Sequence, residues 1–209
     1  MLPARIISFI FHPLLMATYL FSVFAICFPL GFEPLNDESN FWRFVLNLFF
    51  LTFMFPALVI GVFKSLGSID TVMMKSRRER ILPFTAITLF YGAVTVMVYW
   101  MIPVNINDNL VKFLLIIDAL VLVSTIVTLF FKVSVHSIAA WGFIGVMFFL
   151  NLVMDNGAVL YPTLISILLA GIIMSARLKL NVHTPREVFI GAAIGLVTST
   201  AGMIILFPY

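Results

Sequence analysis

The chain has 209 residues, of which 63% are hydrophobic, 10% are charged and 23 are phenylalanine. A soluble domain of this length needs far more charge to cover its surface, so the composition points instead to a single-domain integral membrane protein. The net charge is only +3, and the basic residues stand between apolar runs, too few for a groove that tracks a nucleic-acid backbone. No nucleic-acid partner is expected.

A bilayer core about 30 Å thick takes about 20 apolar helical residues. Seven runs qualify, at 6–30, 41–63, 82–103, 110–131, 135–154, 158–177 and 185–207. They predict an all-α polytopic transmembrane helix bundle of about seven spans, six being the other count the runs allow. The first run follows Arg5 with no small-residue cleavage site behind it, and reads as a retained span rather than a signal peptide. It holds the single cysteine, Cys27, which excludes an intrachain disulfide. It also holds His12, expected to be a hydrogen-bonded packing residue, and the prolines Pro13 and Pro29. The second run contains Pro56, and Pro83 is expected to open the third. Interior prolines are tolerated in spans whose neighbours satisfy the freed carbonyls.

Residues 31–40 and 103–109 read as polar turn-rich loops, and Asp155-Asn156-Gly157 as a tight reversal. Asp118 stands in the middle of the fourth run, where ionisation is costly. It is either a structural acid, protonated or paired, or part of a proton or ion path. Gly191 and Gly195 form a G-x-x-x-G pair suited to close helix packing.

Three polar islands interrupt the apolar runs: Lys75-Ser-Arg-Arg-Glu-Arg80, Lys132-Val-Ser134-Val-His136, and Ser175 to Glu187 with Arg177 and His183 inside it. Seven crossings place all three on the same face as the N-terminus. That face collects Arg5, Lys64, Lys75, Arg77, Arg78, Arg80, Lys132, Arg177, Lys179 and Arg186, and leaves Arg43 and Lys112 to the other. By the positive-inside rule the island face is cytoplasmic, and setting aside Lys75, Arg80 and Arg177 as site residues does not change the sign of the bias.

The chemistry of the islands suits phosphate. Arginine holds phosphate oxygens with a planar fork. A histidine beside it can attack phosphorus if a carboxylate holds its other ring nitrogen. Glu187, one helical turn from His183, is placed to do this, or else to close a capping box with Thr184. Ser134 offers a hydroxyl donor or a helix cap, and His136 can protonate a leaving alkoxide. The basic block around Arg80, taken alone, reads first as a stop signal or anionic-lipid contact and second as a phosphate site.

A basic block followed by proline, then S-x-H, then R-x5-H-x3-acid, in that order, resembles the type-2 phosphatidic acid phosphatase family, whose superfamily includes vanadium haloperoxidases. The family's blocks read K-x6-R-P, P-S-G-H and S-R-x5-H-x3-D. The resemblance implies that His183 is a nucleophile forming a phosphohistidine, that Glu187 replaces the orienting aspartate, and that His136 is the general acid. It implies Lys75, Arg80, Ser134 and Arg177 as phosphate-binding residues, with no metal and no cofactor. Here Lys75 and Arg80 stand closer together than in the family, Ile81 and Leu82 intervene before Pro83, and Arg77 or Arg78 can stand in for either cation. Val133 and Val135 replace the family's proline and glycine, Ala176 precedes Arg177, and two spans separate the first two blocks.

The function expected is a phosphatase acting on a lipid phosphate or diphosphate in the inner or plasma membrane, with the tail in the bilayer and the headgroup in the basic pocket. The same cations also fit a noncatalytic lipid-phosphate-binding or structural membrane protein, and Asp118 a small transporter. The family's membrane enzymes usually place this site away from the cytoplasm, opposite to the charge count. Cysteines introduced at Ser76 and Asn181, with Cys27 replaced by serine, should react with an impermeant thiol reagent from one side of sealed vesicles, the cytoplasmic side by charge. Labelling from opposite sides would overturn the span count.

Overall fold

The computed structural model describes residues 1–27, 32, 35, 37–71, 74, 76–106, 108–154 and 157–208. Lys75, Pro29, Asn107, Asp155, Asn156 and residues 31, 33, 34 and 36 of the 31–40 loop lie outside these. The helices are α1 (Leu2–Ile10), α2 (Met16–Cys27), α3 (Glu38–Phe49), α4 (Phe55–Ser65), α5 (Arg77–Met101), α6 (Asn109–Phe130), α7 (Val135–Val153), α8 (Leu160–Lys179) and α9 (Pro185–Leu206), and the described residues contain no strand. α1 with α2, and α3 with α4, each make one broken crossing. With the other five helices they give seven segments long and apolar enough to cross a membrane, one for each run expected from hydropathy.

The largest difference from expectation is at the third span. Pro83 does not open it; α5 begins at Arg77, and Pro83 lies inside the helix. The cause is local. Ser76 and Glu79 form a reciprocal capping box, which satisfies the first free N–H groups and starts the helix before the proline. Arg77, Arg78 and Arg80 are therefore helical residues, and the inward-facing one, Arg80, is only 5% exposed.

The prolines shape the first two crossings. Pro56 has no N–H for the Thr52 carbonyl. The helix widens there into a π-helical turn, Phe50–Met54, and the Tyr91 hydroxyl of α5 donates to that carbonyl at 2.8 Å. At Pro13 the helix breaks outright. His12 caps a 3₁₀ turn, Pro13–Leu15, with its Nδ1 accepting from the Leu14 N–H at 3.3 Å. Two carbonyls freed by the break find side-chain donors: Tyr19 Oη donates to Ile10 O at 2.7 Å, and a ring nitrogen of His136 lies 3.1 Å from Ser8 O.

α7 is the most enclosed span and packs along α9 through small residues. A methyl on Gly195 would collide with the Ile138 carbonyl of α7, and one on Gly191 would lie 2.7 Å from the Ser134 carbonyl. This is the close approach the G-x-x-x-G spacing anticipates. In the half of the bundle away from the islands, Phe21, Phe24, Phe32, Phe41 and Phe113 are buried against one another. The island half is filled less completely.

The glycine seam makes a specific prediction. Gly195→Ala must push α7 from α9, an overpacking cost on the order of 1–3 kcal/mol, and should lower the melting temperature in detergent. Gly92→Ala, where a Cβ meets nothing within 4 Å, should leave it unchanged or raise it.

Candidate functional site

Three helices, α5, α7 and α9, start at the same end of the bundle, each behind a hydroxyl N-cap: Ser76, Ser134 and Thr184. Each N-terminus carries free N–H groups and about half a positive charge. Hydrogen bonds hold the three starts together. Arg80 donates from Nε to Met74 O at 2.8 Å and from Nη1 to Val133 O at 3.2 Å. The Ser134 N–H donates to Glu187 O at 3.2 Å. Arg77 Nη1 donates to the last carbonyls of α6, Leu129 and Phe130, at 2.6 and 2.8 Å. The three polar islands form one surface.

Beneath it lies a cavity of about 660 Å³. Its head is lined by three arginines, Arg5, Arg80 and Arg177, and by all three histidines of the chain, His12, His136 and His183. Among the described residues no aspartate or glutamate lines it. The deeper walls are apolar, from α2, α5, α6 and α7. Arg177 Nε and Ser8 Oγ are buried polar atoms with no hydrogen-bond partner in the protein, and both residues line the cavity. Buried donors of this kind are rare unless something else accepts from them.

His183 sits in the turn before α9 and is buried. Its Nδ1 lies 2.7 Å from Glu187 Oε2. The carboxylate can only accept, so Nδ1 carries the proton and Nε2 keeps its lone pair. Thr184 Oγ1 accepts from the Glu187 N–H at 3.3 Å, but the carboxylate goes to the imidazole, which settles the two uses that the spacing left open. Lys132 Nζ lies 3.8 Å from the same Glu187 oxygen. Burial pulls the His183 imidazole down to about 4, against its hydrogen bond to Glu187, and the charges of Arg80 and Arg177 pull the same way.

The remaining sequence candidates divide. Arg80, Arg177, His136 and His183 share the cavity, with Glu187 behind His183. Ser134 does not line it: its hydroxyl is fully buried, accepts from Ser137 Oγ at 3.0 Å and caps α7. Lys75 lies outside the described residues. Asp118 is not among the lining residues and is hydrogen-bonded to Thr95. Two residues gain a place that sequence reasoning did not give them. Arg5 counted only toward the charge bias, and His12 was read as packing, yet its ring stands edge-on to His136 with centroids 5.7 Å apart. The signal was the Phe11-His12-Pro13 break itself, which turns a polar side chain inward near the island face.

Among the described residues, no three His, Cys, Asp or Glu side chains gather closely enough to hold a metal ion. Comparison with models of known protein families, with curated proteins and with solved structures finds no match.

The His183 pairing can be read by NMR titration of the labelled histidines. The His183 ring should titrate near 4, below its ordinary 6.5. Glu187→Gln should lower it further by removing the partner that favours the cation, and Arg177→Gln should raise it. Because the folded value lies below the unfolded one, the unfolded chain binds more protons; this contribution to stability is full above about 6.5 and is lost as pH falls toward 4. A His183 that titrates at or above 6.5 would show that the imidazole is not held neutral.

Proposed function

We propose that this chain is a membrane phosphatase that cleaves a lipid phosphate or diphosphate through a phosphohistidine, in the manner of the type-2 phosphatidic acid phosphatases it resembles. The observation that carries the reading is the His183–Glu187 pair at 2.7 Å beside Arg80 and Arg177, at the head of a cavity with an apolar interior.

The chemistry follows from the groups present. The two guanidiniums hold the phosphate oxygens and stabilise the charge on them in the transition state. His183 Nε2 attacks phosphorus and the bond to the lipid oxygen breaks. That oxygen leaves with a proton from His136, as an alcohol or, from a diphosphate, as a monophosphate. Glu187 accepts from Nδ1 throughout and stabilises the positive charge that develops on the ring. Water then attacks the phosphohistidine, gives its proton to His136 and releases inorganic phosphate, which restores His183. The Nε2–H of His136 is donated to Ser8 O, so the proton given to the leaving oxygen is the one on Nδ1 of the imidazolium form, and the proton taken from water restores that form.

A noncatalytic lipid-phosphate binder is the second reading. What favours it is Ser134, whose hydroxyl is spent on the helix cap and is absent from the cavity wall. On either reading we place the site face on the cytoplasmic side, from the charge bias of the loops.

Turnover separates the two. Phosphate should be released from a panel of lipid phosphates by the wild type and not at all by His183→Ala. His136→Ala should lose about 10²–10⁴-fold on an alkyl phosphate and much less on an aryl phosphate, whose leaving group needs little protonation. Quenching in alkaline detergent, where the N–P bond of a phosphohistidine survives, should trap phosphoenzyme in wild type and not in His183→Ala. A phosphoenzyme that survives loss of His183 would sink the assignment, and binding without release by wild type would establish the second reading.

A further inference from the structure

We propose that the apolar part of the cavity gauges the length of a single hydrocarbon chain on the phosphate ligand, accepting about twelve carbons below the headgroup. This rests on the reading of the cavity head as a phosphate site and goes beyond it to the class of lipid.

The charge at the head fixes one end of the ligand. Three arginines line it and, among the described residues, no carboxylate does, which suits an anionic headgroup. The walls below run straight down four helices at helical spacing. On α5 the lining residues are Arg80, Phe84, Ile87 and Tyr91, and on α7 they run from His136 through Gly142 to Val146. At 1.5 Å per residue, His136 to Val146 is a depth of about 15 Å. The floor is solid. Leu20, Ile116 and Val146 line the cavity and also belong to the buried aromatic core with Phe21, Phe24 and Phe113. An extended chain of single bonds advances about 1.2 Å per bond, as the span of an extended backbone requires, so about twelve carbons reach the floor. A longer chain must fold back or leave between helices.

Gly142 offers the place to test this. It lines the cavity about 9 Å below His136, a depth of about seven bonds. The nearest atoms to a Cβ there belong to the flexible end of Leu120, the first at 2.8 Å. Gly142→Leu therefore raises a step partway down, while Leu20→Ala lowers the floor.

The experiment measures binding to the protein in phosphatidylcholine nanodiscs, by competition among hexyl, dodecyl, tetradecyl and octadecyl phosphate at equal mole fraction in the bilayer, with inorganic phosphate as a further competitor. Phosphate release is recorded on the same samples. Wild type should prefer dodecyl over octadecyl phosphate by about tenfold, the scale on which an apolar pocket rejects surplus length. Gly142→Leu should lose about tenfold on dodecyl phosphate and bind hexyl phosphate as wild type does, which also shows that it is folded. Leu20→Ala should shift the preference toward tetradecyl phosphate. A flat profile in wild type, an unchanged optimum in a Gly142→Leu protein that still binds hexyl phosphate, or inorganic phosphate competing as well as dodecyl phosphate would overturn the gauge. If Gly142→Leu fails to bind hexyl phosphate, the wild-type and Leu20→Ala profiles decide. A length preference without release would leave the gauge standing and remove hydrolysis; release with a flat profile would remove the gauge alone.

Discussion

A backbone carbonyl freed inside a bilayer has no water to turn to, and much of this structure follows from how three such carbonyls are answered. Pro56 frees Thr52, which takes Tyr91; the break at Pro13 frees Ser8 and Ile10, which take His136 and Tyr19. Two of these donors, Tyr91 and His136, line the cavity. The breaks therefore do more than bend the spans. They open space beside α7 and commit polar side chains to that space. A straight first helix would satisfy Ser8 within itself and leave His136 without this partner.

The second constraint is electrostatic. Gathering Arg80 and Arg177 at one cavity, below the surface where three helices start, concentrates positive potential at that end of the bundle. Arg80 offsets its burial with two carbonyl acceptors, Met74 O just before its own island and Val133 O of the second, and so joins the two. Arg177 keeps a buried Nε without one. Glu187, the nearest counter-charge, is turned away from the cavity toward His183 and Lys132. The head of the cavity is thus complementary to an anion and not to a cation. The neutral imidazole of His183 is part of the same arrangement, because burial and the two arginines all oppose its protonation.

Much of this was legible in the sequence, and the legible parts share a cause. Span number, the meeting of the islands on one face and the Arg177–His183–Glu187 group all follow from local spacing: about twenty apolar residues per crossing and one helical turn between histidine and carboxylate. The capping box at Ser76 and Glu79 was equally local. It sets the helix start ahead of Pro83 because a capping box satisfies more free N–H groups than a proline does.

What the sequence determined by itself was a membrane helix bundle with a cationic, histidine-bearing face, because hydropathy and charge act residue by residue along the chain. Tertiary structure alone decided which polar groups face one another. It sent the Ser134 hydroxyl into a helix cap, brought His12 and Arg5 from the first crossing to the cavity, and set a floor of Leu20, Ile116 and Val146 beneath it. Those outcomes depend on how α1 breaks and on how closely the glycines let α9 approach α7. Contacts between residues more than a hundred positions apart, such as His136 with Ser8, have no periodicity to announce them.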